Sequence, residues 1–362
     1  MSNWPDWLPL RAQLKSLTPY GAPQVSANAR LNTNENPYGP SKELATAIAS
    51  RISEVSVGLN RYPDRDAVKL RQKIASYLNK QNTLNLKVEN IWVANGSNEI
   101  LQSIFLAFGA GNALGFVPSY SMHSLIGKVT EINWIEGKRS SDFAIDVDLA
   151  SKEILELKPT LTFITTPNNP TGTATTIQEL EVLAKSTATV KGLLIVDEAY
   201  AEFSSQVSAI NLIERYPNVI VTRTMSKAFA FAGARLGYMA ADKVVVDAMQ
   251  LVRLPYHLSS LTQAAAEVAF DFQDELLAEV RKIISAREQL SKELIGLGLK
   301  IAPSDANFIL FTGFKQSSHE LWQILLSEGV LIRDVGLPGW LRVTIGNEAE
   351  NRLFLTALKG AL

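Results

Sequence analysis

The sequence predicts an α/β protein built on a mostly parallel sheet with helices on both faces. Two observations carry this. Short apolar runs suited to strands recur through the middle of the chain, and stretches of helical period separate them. In order, the runs are "IWVAN" (91–95), "ALGFV" (113–117), "LTFITT" (161–166), "LLIV" (193–196), "VIVTR" (219–223) and "GYMAA" (237–241). Between them, stretches such as "ILQSIFLAF" and "IQELEVLAKS" repeat apolar residues at three- and four-residue spacing, as amphipathic helices do. From about 243 to 297 the pattern is helical, with "VVVDAMQLV" and then a long segment through "QAAAEVAF" and "AEVRKIISAREQLSKELIGLG", closed by Gly298. Beyond it, "NFILF", a helix near 318–328, "VLIR", "LRVTIG" and a terminal helix suit a smaller α+β unit. The expected organisation is an N-terminal arm over 1–30, where Pro5, Pro9, Pro19 and Pro23 fall, a large domain over 31–255 and a small domain over 256–362 that packs with the arm.

Composition narrows the function. The 362 residues are 46% hydrophobic, enough for a large core. Thirty-five basic residues against 36 acidic ones leave a net charge of −1, so nothing draws the whole chain to nucleic acid or to an anionic membrane. An anion site must be local. The absence of cysteine excludes disulfides, thiolate metal sites and a cysteine nucleophile, and three histidines argue against a histidine-rich metal centre. The opening "MSNWPDWLPLR" lacks a basic segment followed by an apolar one, and no stretch approaches the ~18 uninterrupted apolar residues of a membrane helix. A soluble, cytoplasmic protein without a metal is expected.

In open α/β sheets, sites collect beyond the carboxyl ends of the strands, and the unusual residues of this chain stand there. In "ANGSNEILQ" a strand ends at Asn95 and a helix begins near Ser97; free N–H groups at that turn suit a phosphate, although a serine in such a turn, taken alone, is more often only a helix cap. "TTPNNPTGT" (165–173) presents the amides of Asn168 and Asn169 from a turn shaped by Pro170 and Gly172, and such turns are often only turns. Asp197 follows four apolar residues in "LLIVDEAYAEF", so it is either a buried carboxylate in need of a donor or the cap of a following helix. Lys227, in "TMSKAFAFAGARLGY", suits three jobs: snorkelling from an apolar segment, binding a phosphate, or acting as a desolvated amine nucleophile. Arg235 alone reads as a surface residue.

One cofactor requires all of these together. Pyridoxal phosphate needs an imine-forming lysine, a carboxylate on its pyridine nitrogen, donors to its ring oxygen, an aromatic ring on one face and a cradle for its phosphate. The chain resembles the fold-type I pyridoxal-phosphate aminotransferases, and most closely histidinol-phosphate aminotransferases. The resemblance runs through "LNTNENPYGP", "RYPDRDAVKLR", "NGSNEI", "PSYSMH", "PNNPTGT", "VDEAYAEF", "TMSKAFAFAGARLGY" and "LRVTIG". It implies a large domain with a mostly parallel seven-stranded sheet and a smaller α+β C-terminal domain. It further implies that Gly96, Ser97 and Asn98 cradle the phosphate with Ser226 and Arg235, and that Tyr120 stacks on the pyridine ring. Asn169 and Tyr200 would hydrogen-bond the ring oxygen, Asp197 would keep the ring nitrogen protonated, and Lys227 would bind the cofactor and then move a proton from the substrate α-carbon to the cofactor. Tyr62 would reach the phosphate in the other subunit of a homodimer with shared sites. Arg342 and Arg333, helped by Asn169 and by Tyr20 of the neighbouring arm, would hold the substrate anion.

The activity so implied is amino transfer between L-histidinol phosphate and 2-oxoglutarate in histidine biosynthesis, giving imidazole-acetol phosphate and glutamate. An aromatic amino-acid aminotransferase is the alternative within the fold, and a threonine-phosphate decarboxylase a more distant one. A sensing module of a transcription regulator is disfavoured, because the arm is too short for a winged helix and no basic footprint is present. His257 of "PYHLSS" stands where many relatives carry asparagine, and Thr166 stands at a position that varies among them.

Overall fold

The computed structural model describes residues 4–19 and 21–362, so Tyr20 lies outside the described residues. Along the chain come β1 (Ala29–Arg30), α1 (Lys42–Ser56), α2 (Val68–Asn82), β2 (Ile91–Ala94), α3 (Ser97–Phe108), β3 (Ala113–Val117), α4 (Ser121–Val129), β4 (Trp134–Lys138), α5 (Val147–Leu157), β5 (Leu161–Thr165), α6 (Ile177–Thr189), β6 (Leu193–Asp197), β7 (Val219–Thr224) and β8 (Gly237–Ala240). The second part holds α7 (Lys243–Met249), α8 (Ser260–Asp271), α9 (Gln273–Gly296), β9 (Lys300–Ile301), β10 (Phe308–Thr312), α10 (Ser318–Ser327), β11 (Val330–Leu331), β12 (Arg333–Asp334), β13 (Leu341–Thr344) and α11 (Glu348–Ala361).

Seven strands form one sheet in the order β2-β8-β7-β6-β5-β3-β4. Only β8 runs antiparallel to its neighbours. Every residue of β5, β7 and β8 is buried, as expected where helices cover both faces and strands become continuous apolar runs. All six expected strands are present. The seventh, β4, is the edge strand; only Gly137 of "WIEGK" is buried, which is why no apolar run marks it.

A four-stranded antiparallel sheet, β12-β13-β10-β9, forms the second layer, flanked by α10 and α11. β1 pairs with β11, Ala29 opposite Val330 and Arg30 opposite Leu331, so the segment leading into residue 31 is bound to the C-terminal part. The long helical stretch after 243 is three helices. It breaks at Phe272, whose amide bonds back to Ala269 O, and α9 ends at Gly296, two residues before a left-handed Gly298. Among the described residues, no helix is long and apolar enough to cross a membrane.

Helix starts follow a pattern that bears on the site. α6, α10 and α11 begin with reciprocal capping boxes, Thr176 with Glu179, Ser317 with Glu320 and Asn347 with Glu350. α3 instead begins behind Gly96, with no side-chain cap. Its first-turn amides are left to another acceptor.

Candidate active site

The carboxyl ends of the central strands open into a cavity of about 440 Å3. Ser97, Asn98, Tyr120, Asn169, Asp197, Tyr200, Ser226, Lys227, Arg235, Arg333 and Arg342 all line it. Residues from seven strands and the loops that follow them, spread over 246 positions from 97 to 342, therefore meet in one place. Tyr62 does not line the cavity of its own chain; it is exposed and stacks on Tyr256 with ring centroids 4.3 Å apart. His257 also lies away from it, stacked on Trp92 with Nε2 2.8 Å from Val93 O. Thr166 accepts from the Thr175 amide and is likewise absent from the lining.

One end of the cavity is built for an anion. Ser97 is the first residue of α3 and Gly96 its N-cap at φ 84°, a left-handed conformation that glycine adopts freely. A side chain at 96 would put its Cβ 2.6 Å from Arg235 Nη2, so the backbone and the guanidinium face each other across the width of one missing side chain. Arg235 Nη1 lies 3.4 Å from Ser226 Oγ, which in turn is 3.0 Å from Thr224 Oγ1. The positive end of a twelve-residue helix, an arginine and two hydroxyls make a cradle for a phosphate.

The middle of the cavity carries a buried carboxylate. Asp197, the last residue of β6, is 2% exposed. Thr222 on the neighbouring β7 donates to its Oδ1 at 3.2 Å. His123 Nε2 lies 3.0 Å from its Oδ2, and since an ionised carboxylate only accepts, the imidazole donates. Asp197 caps no helix; its needs are met by these donors, while the carboxylate still lines the cavity. His123 was not picked out from the sequence. It sits in the first turn of α4, edge-on to Tyr120, whose hydroxyl donates to Asn98 Oδ1 at 3.3 Å. The one available signal is a histidine three residues after an aromatic at a strand end.

Lys227 lies in the turn after β7 rather than on a helix, and its Nζ donates to Thr33 O at 2.8 Å. Burial, helped by the positive charges of Arg342 and Arg235 and opposed by the negative charge of Glu35, lowers its pKa to about 8. An amine in that range is neutral often enough near neutral pH to act as a nucleophile or base.

At the far end, Arg342 on β13 is 6% exposed and packs its guanidinium over Phe308. Its Nη2 donates to Asn32 O at 2.8 Å and its Nη1 to Asn169 Oδ1. Asn169 donates in turn to the Tyr200 hydroxyl at 3.3 Å. β12 pairs antiparallel with β13 so that Arg333 stands directly opposite Arg342, which puts both side chains on one face. Both line the cavity. Like charges in that relation repel, and an anion held between them would offset the repulsion.

The aminotransferase class I and II family profile matches residues 28–358. The chain is 53% identical over 353 residues to the histidinol-phosphate aminotransferase of Mycolicibacterium smegmatis, covering 97% of this chain and 92% of that one. The chain belongs to the aminotransferase class I and II family. The histidinol-phosphate aminotransferase of Mycolicibacterium vanbaalenii is also 53% identical, over 356 residues, with 97% and 95% of the two chains covered. The crystal structure of histidinol-phosphate aminotransferase from Sinorhizobium meliloti in complex with pyridoxal-5'-phosphate superposes with a TM-score of 0.84 at 23% identity, covering 98% and 97%. The likeness is one of fold, and it matches the seven-stranded sheet of this aminotransferase. The residues present fit the cofactor such enzymes use: an anion cradle at Gly96, a buried carboxylate and a lysine of lowered pKa face one cavity.

Proposed function

We propose that this aminotransferase acts on L-histidinol phosphate and 2-oxoglutarate in histidine biosynthesis, in the cytoplasm, with pyridoxal phosphate as its cofactor. The observation that carries the reading is the cross-strand pair of Arg333 and Arg342 in the cavity. Histidinol phosphate has no carboxylate, so its phosphate ester must take the anion position. A dianion with three terminal oxygens uses two planar guanidinium forks, whereas the glutamate α-carboxylate is held bidentately by one. The histidinol-phosphate aminotransferases at 53% identity support the same substrate.

When bound, the cofactor supplies an electron-accepting ring. The chain's own residues then divide the work. Ser97 and Asn98 amides, Ser226 and Arg235 hold its phosphate. Tyr120 covers one ring face, Asp197 keeps a proton on the ring nitrogen with His123 orienting the carboxylate, and Asn169 and Tyr200 donate to the ring oxygen. Lys227 Nζ takes the proton from the substrate α-carbon.

Arg342→Ala is expected to damage both half-reactions, because either anion needs that guanidinium. Arg333→Ala is expected to weaken histidinol phosphate more than glutamate, by about 1.5 to 3 kcal/mol, the range of one charge-assisted hydrogen bond. Single-turnover kinetics of each half-reaction, with phenylalanine and tyrosine as further donors, test this. Equal losses for histidinol phosphate and glutamate in Arg333→Ala would remove the basis of the substrate assignment.

A homodimer completes the site in this reading. Val57, Leu59, Leu251 and Leu254 are exposed in the two segments that carry the stacked Tyr62–Tyr256 pair, and Arg253 joins these segments by donating to Arg65 O and pairing with Asp66. An exposed apolar patch of this kind suits an interface between subunits, from which Tyr62 reaches the partner's phosphate. Mixing inactive Tyr62→Ala and Lys227→Ala proteins should then restore activity, since one of the two hybrid sites has both groups. No recovery after proven subunit exchange would count against the shared site.

A further inference from the structure

Tyr200 receives hydrogen bonds from two amides whose orientations are both locked. Asn169 turns its oxygen to Arg342 Nη1, and a guanidinium has only donors, so its NH2 must face Tyr200. The second amide is Asn34, 2% exposed at the cavity wall, whose Nδ2 lies 2.9 Å from the Tyr200 oxygen. Thr344 Oγ1 accepts from the Asn34 backbone amide at 3.0 Å, so its own hydrogen goes to Asn34 Oδ1, also at 3.0 Å. That bond fixes Oδ1 as the acceptor and directs Nδ2 at Tyr200. Asn34 is held there by its backbone as well: φ is 56°, a conformation asparagine tolerates, and its carbonyl accepts from Asn307 Nδ2 at 3.1 Å.

A phenolic oxygen with two N–H donors has used its acceptor capacity, so its own O–H acts as a donor, and a stronger one because both partners pull density from it. We propose that Asn34 is a positioning residue which, with Asn169, makes Tyr200 an obligate and strengthened donor toward the cofactor's ring oxygen. The inference rests on the reading of Tyr200 given above and adds a residue from the far N-terminal side of the chain. Asn34 itself acts through Tyr200. Donation to the ring oxygen draws charge from the conjugated system, so losing it raises the pH at which the Lys227-bound cofactor loses its proton.

The test is a pH titration of the visible absorbance of the purified holoenzyme without substrate. Asn34→Gly keeps the left-handed backbone and removes the amide; Asn34→Asp keeps the shape but offers Tyr200 an acceptor in place of a donor. Both are expected to raise the apparent pKa of bound cofactor by about 0.5 to 1 pH unit, the effect of one neutral hydrogen bond. Tyr200→Phe is expected to raise it further, and adding Asn34→Gly to Tyr200→Phe to change nothing more. An unshifted titration in both Asn34 variants beside a shifted Tyr200→Phe would overturn the proposal while leaving Tyr200 in place. An Asn34→Gly shift that persists in the Tyr200→Phe background would overturn it too, because the effect would then bypass the phenol. If Tyr200→Phe shifts nothing, the placement of Tyr200 on the ring oxygen falls, and the role of Asn34 falls with it.

Discussion

Replacing Lys227 with alanine is expected to abolish transamination, by at least about 10⁴-fold, because the covalent anchor and the general base are lost with the same atom. The structure supports both duties. Nζ is placed in the cavity by a hydrogen bond to Thr33 O, and its lowered pKa of about 8 comes from burial and from two nearby arginines. Borohydride reduction of the holoenzyme followed by peptide mapping should put the pyridoxyl group on Lys227; a label on another lysine would overturn the assignment. The same amine sets a pH dependence. Only the neutral form attacks an aldehyde, so the rate at which apoenzyme captures pyridoxal phosphate should climb with pH and level off above about 8. The ordinary value of 10.5 would place that plateau more than two units higher. The stability linkage has the matching sign. Between about 8 and 10.5 the unfolded chain binds the proton that the folded chain has lost, so this lysine makes the apoenzyme more stable as pH rises through that window.

Asp197→Ala should leave the cofactor bound yet cost about 3 to 5 kcal/mol of activation free energy, on the scale of removing one partner from a buried charge pair. Binding survives because the phosphate cradle is a separate construction, made by the start of α3, Ser226 and Arg235. Chemistry suffers because a ring nitrogen without a carboxylate gives up its proton, and the ring then accepts electrons poorly. His123, the donor to that carboxylate, cannot replace it, because an imidazole carries no negative charge. Cofactor affinity measured on the apoenzyme beside single-turnover rates would separate the two effects. Near-normal rates in Asp197→Ala would contradict the role given to this carboxylate.

Much of the site could be read from the chain because its members close apolar runs. Asp197 ends "LLIVD", Lys227 follows "VIVTRTMS" and Ser97 follows "IWVANG"; in an α/β sheet each such ending arrives at the same edge. What could not be read depends on packing order. His123 matters only because β3, β5 and β6 lie side by side and bring α4 over Asp197, 74 residues away. Asn34 comes from a polar segment with no period at all, and its function is defined by contacts to Thr344 and Tyr200 across the fold. The facing of Arg333 and Arg342 is a matter of hairpin register. The break at Phe272 escaped notice because apolar residues continue at helical spacing on both sides of it.

The strip from Asn32 to Asn34 has a metrical consequence. Thr33 O holds the Lys227 nitrogen and Asn32 O holds the Arg342 guanidinium, so carbonyls of consecutive residues fasten the amine at one end and the anion clamp at the other. Neighbouring residues stand only about 3.8 Å apart, and that interval does not stretch. The amine and the anion clamp are thus fastened to one peptide unit, so moving either relative to the other would break one of these two bonds.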